Sequence, residues 1–143
     1  MLFKKNENTN ENEDLIKIGA LLIHAAKIDE EYSDQEEEII KKTLLEFNSN
    51  EENVEKIIKK AKEIEKNTNQ ILDFTKQVKS MNDKDKNRII ESLWRIIYSN
   101  KDADIYETNL MRRLAGLLYI DNKTMGDIKE KIKLEFHNDL HSK

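Results

Sequence analysis

Apolar residues return every three or four positions through most of the chain, and no segment alternates with period two. The pattern sets in at Leu15, Ile18, Leu22 and Ala25 or Ala26, which predicts a first helix ending near Ile28. Ser33 with Glu36 has the spacing of a capping box and opens a second helix that turns Ile39, Ile40, Leu44 and Phe47 inward. Asn48-Ser49-Asn50 reads as a loop, and Ser49 with Glu52 as the cap of a third helix carrying Val54, Ile57, Ile58, Ala61 and Ile64. Thr68 opens a short fourth, with Ile71, Phe74, Val78 and Met81. Asn82 caps a fifth with Ile89, Ile90, Leu93, Trp94 and Ile97, and Asp104 with Glu107 a sixth with Leu110, Met111, Leu114, Leu117 and Leu118. Asp121 starts the seventh, which carries Met125, Ile128, Ile132 and Phe136. About seven helices joined by loops of a few residues predict an all-α, compact bundle with antiparallel neighbours.

Composition supports this reading and narrows the function. The 143 residues suit one domain with a core of ordinary size. The expected division is a polar, disordered lead-in over 1–12, the domain over 13–137 and a frayed tail over 138–143. Proline is absent and glycine occurs only at Gly19, Gly116 and Gly126, too little turn punctuation for most β architectures. A net charge of −4 without a basic stripe argues against nucleic acid as a partner. With no cysteine, the chain has no disulfide, thiolate metal site or thiol redox chemistry of its own. Met1 to Lys5 has no apolar stretch of signal-peptide length and no later run approaches a membrane span, so the expected location is the cytoplasm.

Two helix–loop–helix junctions share a pattern. Asp29-Glu30-Glu31-Tyr32-Ser33-Asp34-Gln35-Glu36 and Asn100-Lys101-Asp102-Ala103-Asp104-Ile105-Tyr106-Glu107 each have an Asx residue, a capping residue four positions on and a Glu seven on. Each lies between two apolar helices, so the expectation is two pseudo-repeated helical hairpins, each bent at an acidic elbow.

These elbows resemble those of the TerB-like family, named for tellurite-resistance proteins, whose pattern is Ala-Asp-Gly-x-x-[Asp/Ser]-x-x-Glu. The matching stretches are Ile28 through Glu36 and Ser99 through Glu107. Asp73-Phe74-Thr75, Glu91 through Ile97 and Leu110 through Ile120 are similar to the family's pattern in the same order, and the resemblance covers about residues 15 to 135. The chain departs where the Ala-Asp-Gly core becomes Ile28-Asp29-Glu30 and Ser99-Asn100-Lys101; both elbows lose the glycine and the second loses its leading acid. The resemblance implies a non-enzymatic stress-response or interaction module, associated with tellurite resistance or with the front end of membrane-anchored J-domain co-chaperones, and a protein partner. The J-domain His-Pro-Asp motif is not in this sequence.

Two readings of the elbows stand side by side. In one, Ser33/Glu36 and Asp104/Glu107 are capping boxes that satisfy free amides, typically worth ~1 kcal/mol each, and Asn100 is a left-handed helix stop. In the other, Asp29, Glu36, Asn100, Asp104 and Glu107 offer oxygens to a hard divalent cation, Ca²⁺ or Mg²⁺. One elbow falls short of the oxygens Ca²⁺ takes, so such a site needs both elbows or several waters, and neither loop has the EF-hand pattern. No other cofactor is expected, and no catalytic residue. The alternative function, a metal-dependent carboxylate enzyme, wants Glu-x-x-His pairs on facing helices, and the sequence has none. His24 reads as a partly buried residue of the first helix, Trp94 as core, Arg112 and Arg113 as surface cations, and His137 and His141 as a fortuitous i, i+4 pair.

Overall fold

The computed structural model describes the backbone of residues 2–27, 33–48, 50–68, 71–99 and 105–141, and the side chains of those spans except at 2–11, 105–108 and 137–141. Seven helices make up these segments: α1 (Leu2–Ala26), α2 (Asp34–Phe47), α3 (Glu51–Asn67), α4 (Leu72–Lys79), α5 (Asp83–Ser99), α6 (Ile105–Leu117) and α7 (Asn122–His141). Among the described residues there is no strand, and no helix is long and apolar enough to cross a membrane.

The C-terminal half of α1 is apolar on every side because it is the hub of the bundle. Ala20, Leu21, Leu22 and Ile23 are all sealed from solvent, and α1 packs against α2, α3, α4 and α5. Its closest approach is to α3, where a Cβ added to Gly19 would stand 3.1 Å from the Cβ of Ala61. The residue must be small there for the two backbones to meet. The Asn12–Asn53 bond (3.1 Å) at one end and the His24–Glu65 contact (3.3 Å) at the other show that α1 and α3 run parallel. Similarly, Glu91–Lys131 and Arg95–Glu135 set α5 parallel to α7. In both cases the heaviest packing is with the next helix but one. The intervening α2 runs antiparallel to α3, as the Glu37–Lys62 and Lys41–Glu55 pairs require. Across the centre, a buried Thr43–Ser92 hydroxyl pair (2.6 Å) joins α2 to α5.

Three helix starts differ from the sequence expectation, and α7 runs on to His141, into the stretch expected as a frayed tail. Helix α1 reaches back to Leu2, through the polar segment that precedes the first apolar repeat, because Lys and Glu support a helix without an apolar face and no Gly or Pro interrupts it. The cap of α3 is Asn50, one residue after Ser49: its Oδ1 accepts from Asn53 N (3.0 Å). Thr68 closes α3 rather than opening α4, which begins at Leu72 with no side-chain cap. The caps at Asn82 and Asp121 stand where the sequence puts them, accepting from Asp85 N (2.9 Å) and Thr124 N (2.7 Å).

The helix starts also keep step. Helices α2 and α6 begin at 34 and 105, and α3 and α7 at 51 and 122, both 71 positions apart. Burial follows the same step: Val54, Ile57 and Ala61 answer to Met125, Ile128 and Ile132, and Ile18, Leu22 and Ala26 answer to Ile89, Leu93 and Ile97.

Candidate functional site

Of the five residues expected at the elbows, Asp29, Asn100 and Asp104 lie outside the described residues. Glu107 falls in the first turn of α6, its side chain outside the described set. Glu36 is fully described. Its N donates to Ser33 Oγ (3.1 Å) and its Oε1 accepts from Ser33 N (2.8 Å), so the capping box is complete. At 4% exposure its carboxylate is a fixed part of the α2 N-terminus. Among the described residues, no group of three or more His, Cys, Asp or Glu is placed to hold a metal ion.

Immediately before the first elbow lies a charged cluster that the sequence reading passed over. Glu65, near the end of α3, is 9% exposed and accepts from Lys27 Nζ (2.8 Å), while its other oxygen lies 3.3 Å from His24 Nδ1. Lys27 and His24 both sit at the C-terminal end of α1, where the positive charge of the lysine also meets the helix dipole. The signal was in the spacing: Glu65 follows Ala61 by four and continues the stripe Val54, Ile57, Ile58, Ala61. An acid at the end of an apolar stripe calls for a partner on the facing helix.

The corresponding seam between α5 and α7 is held at the surface. Arg95 donates from Nε and Nη2 to the two oxygens of Glu135 (both 3.1 Å), and Lys131 pairs with Glu91. The Arg95 hydrogen bonds hold the Glu135 carboxyl below the usual carboxylate range, and the same contact raises the guanidinium. Asp121 is also held low, first by the Thr124 backbone N–H. Asp14 moves the other way, raised by burial and then by Glu13 beside it. As expected, Trp94 belongs to the core at 4% exposure and His24 is partly buried. Arg112 and Arg113 are exposed and make no ion pair among the described residues. The side chains of His137 and His141 lie outside the described residues.

A second unanticipated feature closes α6. Ile120 N donates to Ala115 O (2.9 Å) and Tyr119 N to Gly116 O (3.4 Å), a Schellman arrangement with Tyr119 in the left-handed region at φ 57°. Buried Lys86 donates to the freed Leu118 carbonyl (2.9 Å). Lysine supplies the positive charge that a helix C-terminus favours.

The family model described as "Tellurite resistance protein TerB" matches residues 15–130, from the buried part of α1 into α7. No curated protein and no solved structure matches the chain.

Proposed function

The chain belongs to the TerB family, and from that premise we propose that it is a non-enzymatic stress-response or interaction module that binds a divalent cation or a protein partner at its two acidic elbows, the cation being the reading tested below. The observation that carries this reading is the common step of 71 residues. It relates Ser33 to Asp104 and Glu36 to Glu107, as well as the starts of the helices that follow each elbow. We read this as an internal duplication of a three-helix unit, with α4 as the connector. The complete capping box at Ser33 and Glu36 fixes the start of α2, and a fixed frame lowers the cost of ordering an oxygen ligand there. Asp29 in the first elbow against Asn100 in the second makes the pair unequal, with one anionic ligand fewer on the second side.

The test is a Ca²⁺ titration of the full chain followed by amide NMR. The expected outcome is saturable shifts at Asp29, Glu36, Asp104 and Glu107, with Asp29→Asn weakening binding more than Asn100→Ala. Unmoved elbow resonances at millimolar Ca²⁺ would remove the cation from the reading.

A further inference from the structure

Helices α6 and α7 stand 71 positions on from α2 and α3, and they are packed less closely and differ in the chemistry of their facing side chains. Between α2 and α3, Lys41 Nζ lies 3.6 Å from Glu55 across the seam. One step on, Lys41 becomes Arg112 and Glu55 becomes Gly126. The cation is kept and its carboxylate is gone. Arg112 has no ion pair among the described residues, and a Cβ placed on Gly126 meets nothing within 4 Å.

The α6/α7 seam opens onto a cavity of about 180 Å³ walled by Trp94, Met111 and Met125 and bordered by Arg112, Gly126 and Lys129. Trp94 and Lys129 stand one step on from Ile23 and Ile58, which are buried aliphatics. The Lys129 ammonium lies 5.5 Å from the centroid of the Trp94 ring, so a second positive charge is held at the same wall. The Trp94 indole N–H is buried and has no hydrogen-bond partner among the described residues. Buried donors are almost always paired, and an unpaired one marks either strain or a missing acceptor.

We propose that this cavity binds a short aliphatic carboxylate, which takes the place that the Glu55 side chain holds in the other seam. The acid group meets Arg112 and Lys129, and the alkyl chain lies against Trp94 and the two methionines. Guanidinium matches a carboxylate in two parallel hydrogen bonds, which favours an acid over an alcohol of the same shape. The volume is below the ~300 Å³ where sites for drug-sized ligands begin, which limits the ligand to a short chain. Unbranched methionine side chains can repack around chains of slightly different length. This inference shares the 71-residue step with the elbow reading, but none of its residues lies in an elbow, so its test and the Ca²⁺ titration fail separately.

Trp94 is the chain's one tryptophan, so indole emission reports on its surroundings, which include the cavity wall and the stacked Tyr98 ring. The full chain is titrated with sodium butyrate and sodium hexanoate at constant ionic strength, with hexanol and hexylamine as probes of the same length. The expected result is a saturable emission change with hexanoate and roughly tenfold weaker binding of the other two, the factor that one charge-assisted contact supplies. Arg112→Ala weakens hexanoate by a similar factor. Gly126→Glu abolishes its binding by supplying the carboxylate internally, while Gly126→Ala keeps it. Thermal unfolding of each variant confirms the fold. Equal binding of hexanol and hexanoate, full binding by Arg112→Ala, or equal loss in both Gly126 variants would each overturn the assignment.

Discussion

The α1–α3 seam and the α5–α7 seam are parallel helix pairs in the same register, yet they are joined by different means. The first brings two backbones together at Gly19 and Ala61 and ends on Glu65, a nearly buried acid gripped by Lys27 and His24. The second keeps its helices linked by a bidentate Arg95–Glu135 pair and by Lys131–Glu91, all at least one-fifth exposed. One pattern of helices can thus be closed from inside or tied from outside. The inside closure is worth more, because solvent screens surface charges but cannot compensate a lost core contact. Closure from inside does not empty the seam of cavities: one of about 330 Å³ runs along α1 and α3 beside Ile16 and Ile57, and the one of about 180 Å³ at Trp94 lies in the half that is tied from outside.

The largest test of this contrast is truncation of the hub. Leu22→Ala and Leu93→Ala, both at fully buried positions, should each cost about 2–5 kcal/mol. Leu22 should be the costlier of the two, because it lies on the helix that makes the closest backbone approach in the bundle, Gly19 against Ala61 of α3; chemical denaturation measures both. Glu65→Ala should cost about 1–3 kcal/mol, toward the lower end because Lys27 and His24 are 44% and 31% exposed and can hydrate. Glu135→Gln should cost less, under ~1 kcal/mol for a half-exposed pair, and the loss should shrink further in high salt. A Glu135 effect as large as that of Glu65 would erase the distinction between the seams.

Acid titration separates the two halves by sign. Glu135 binds its proton less readily folded than unfolded, so its contribution is full above the ordinary carboxylate range and is lost as pH falls through the depressed value. Asp14 on α1 binds its proton more readily folded, so its contribution is full at low pH and is lost as pH rises through the raised value. Glu135→Gln should therefore lower the midpoint of thermal unfolding at neutral pH, and Asp14→Asn should raise it. Both differences should fade in acid.

The smallest effect is expected where the two loops differ. Asn48, after α2, is extended at φ −144°, while Tyr119, 71 positions later, is left-handed at φ 57°. That reverses the usual preference, since Asn tolerates the left-handed region far better than Tyr. Tyr119→Gly should stabilise by a net few tenths to ~1 kcal/mol, because relief of the left-handed strain is partly offset by loss of the Lys79 cation–π contact (4.5 Å). Thermal unfolding measures it.

Much of this architecture was legible beforehand because helix period and capping are local properties. The stripe Ile89, Ile90, Leu93, Trp94 and Ile97 is buried as its spacing requires, and Ser33, Asn82 and Asp121 cap as their positions require. The start of α1 was not legible, since a polar helix has no periodic apolar signal to mark it. Thr68 misled because a capping residue type serves either end of a loop. At the elbows, sequence spacing singled out Glu36 but not Glu65, whose partners Lys27 and His24 lie 38 and 41 residues away.

The sequence by itself determined the number of helices, most of their buried faces, the family and the step that relates the two elbows. All of these follow from interactions within a few residues or from patterns repeated along the chain. Only the tertiary structure decided that α1 pairs in parallel with α3 and α5 with α7, that Glu65 is an inward acid, and that Gly126 leaves Arg112 without the carboxylate Lys41 enjoys. Those outcomes depend on which helix faces which across the bundle, and no local propensity specifies a partner forty residues away.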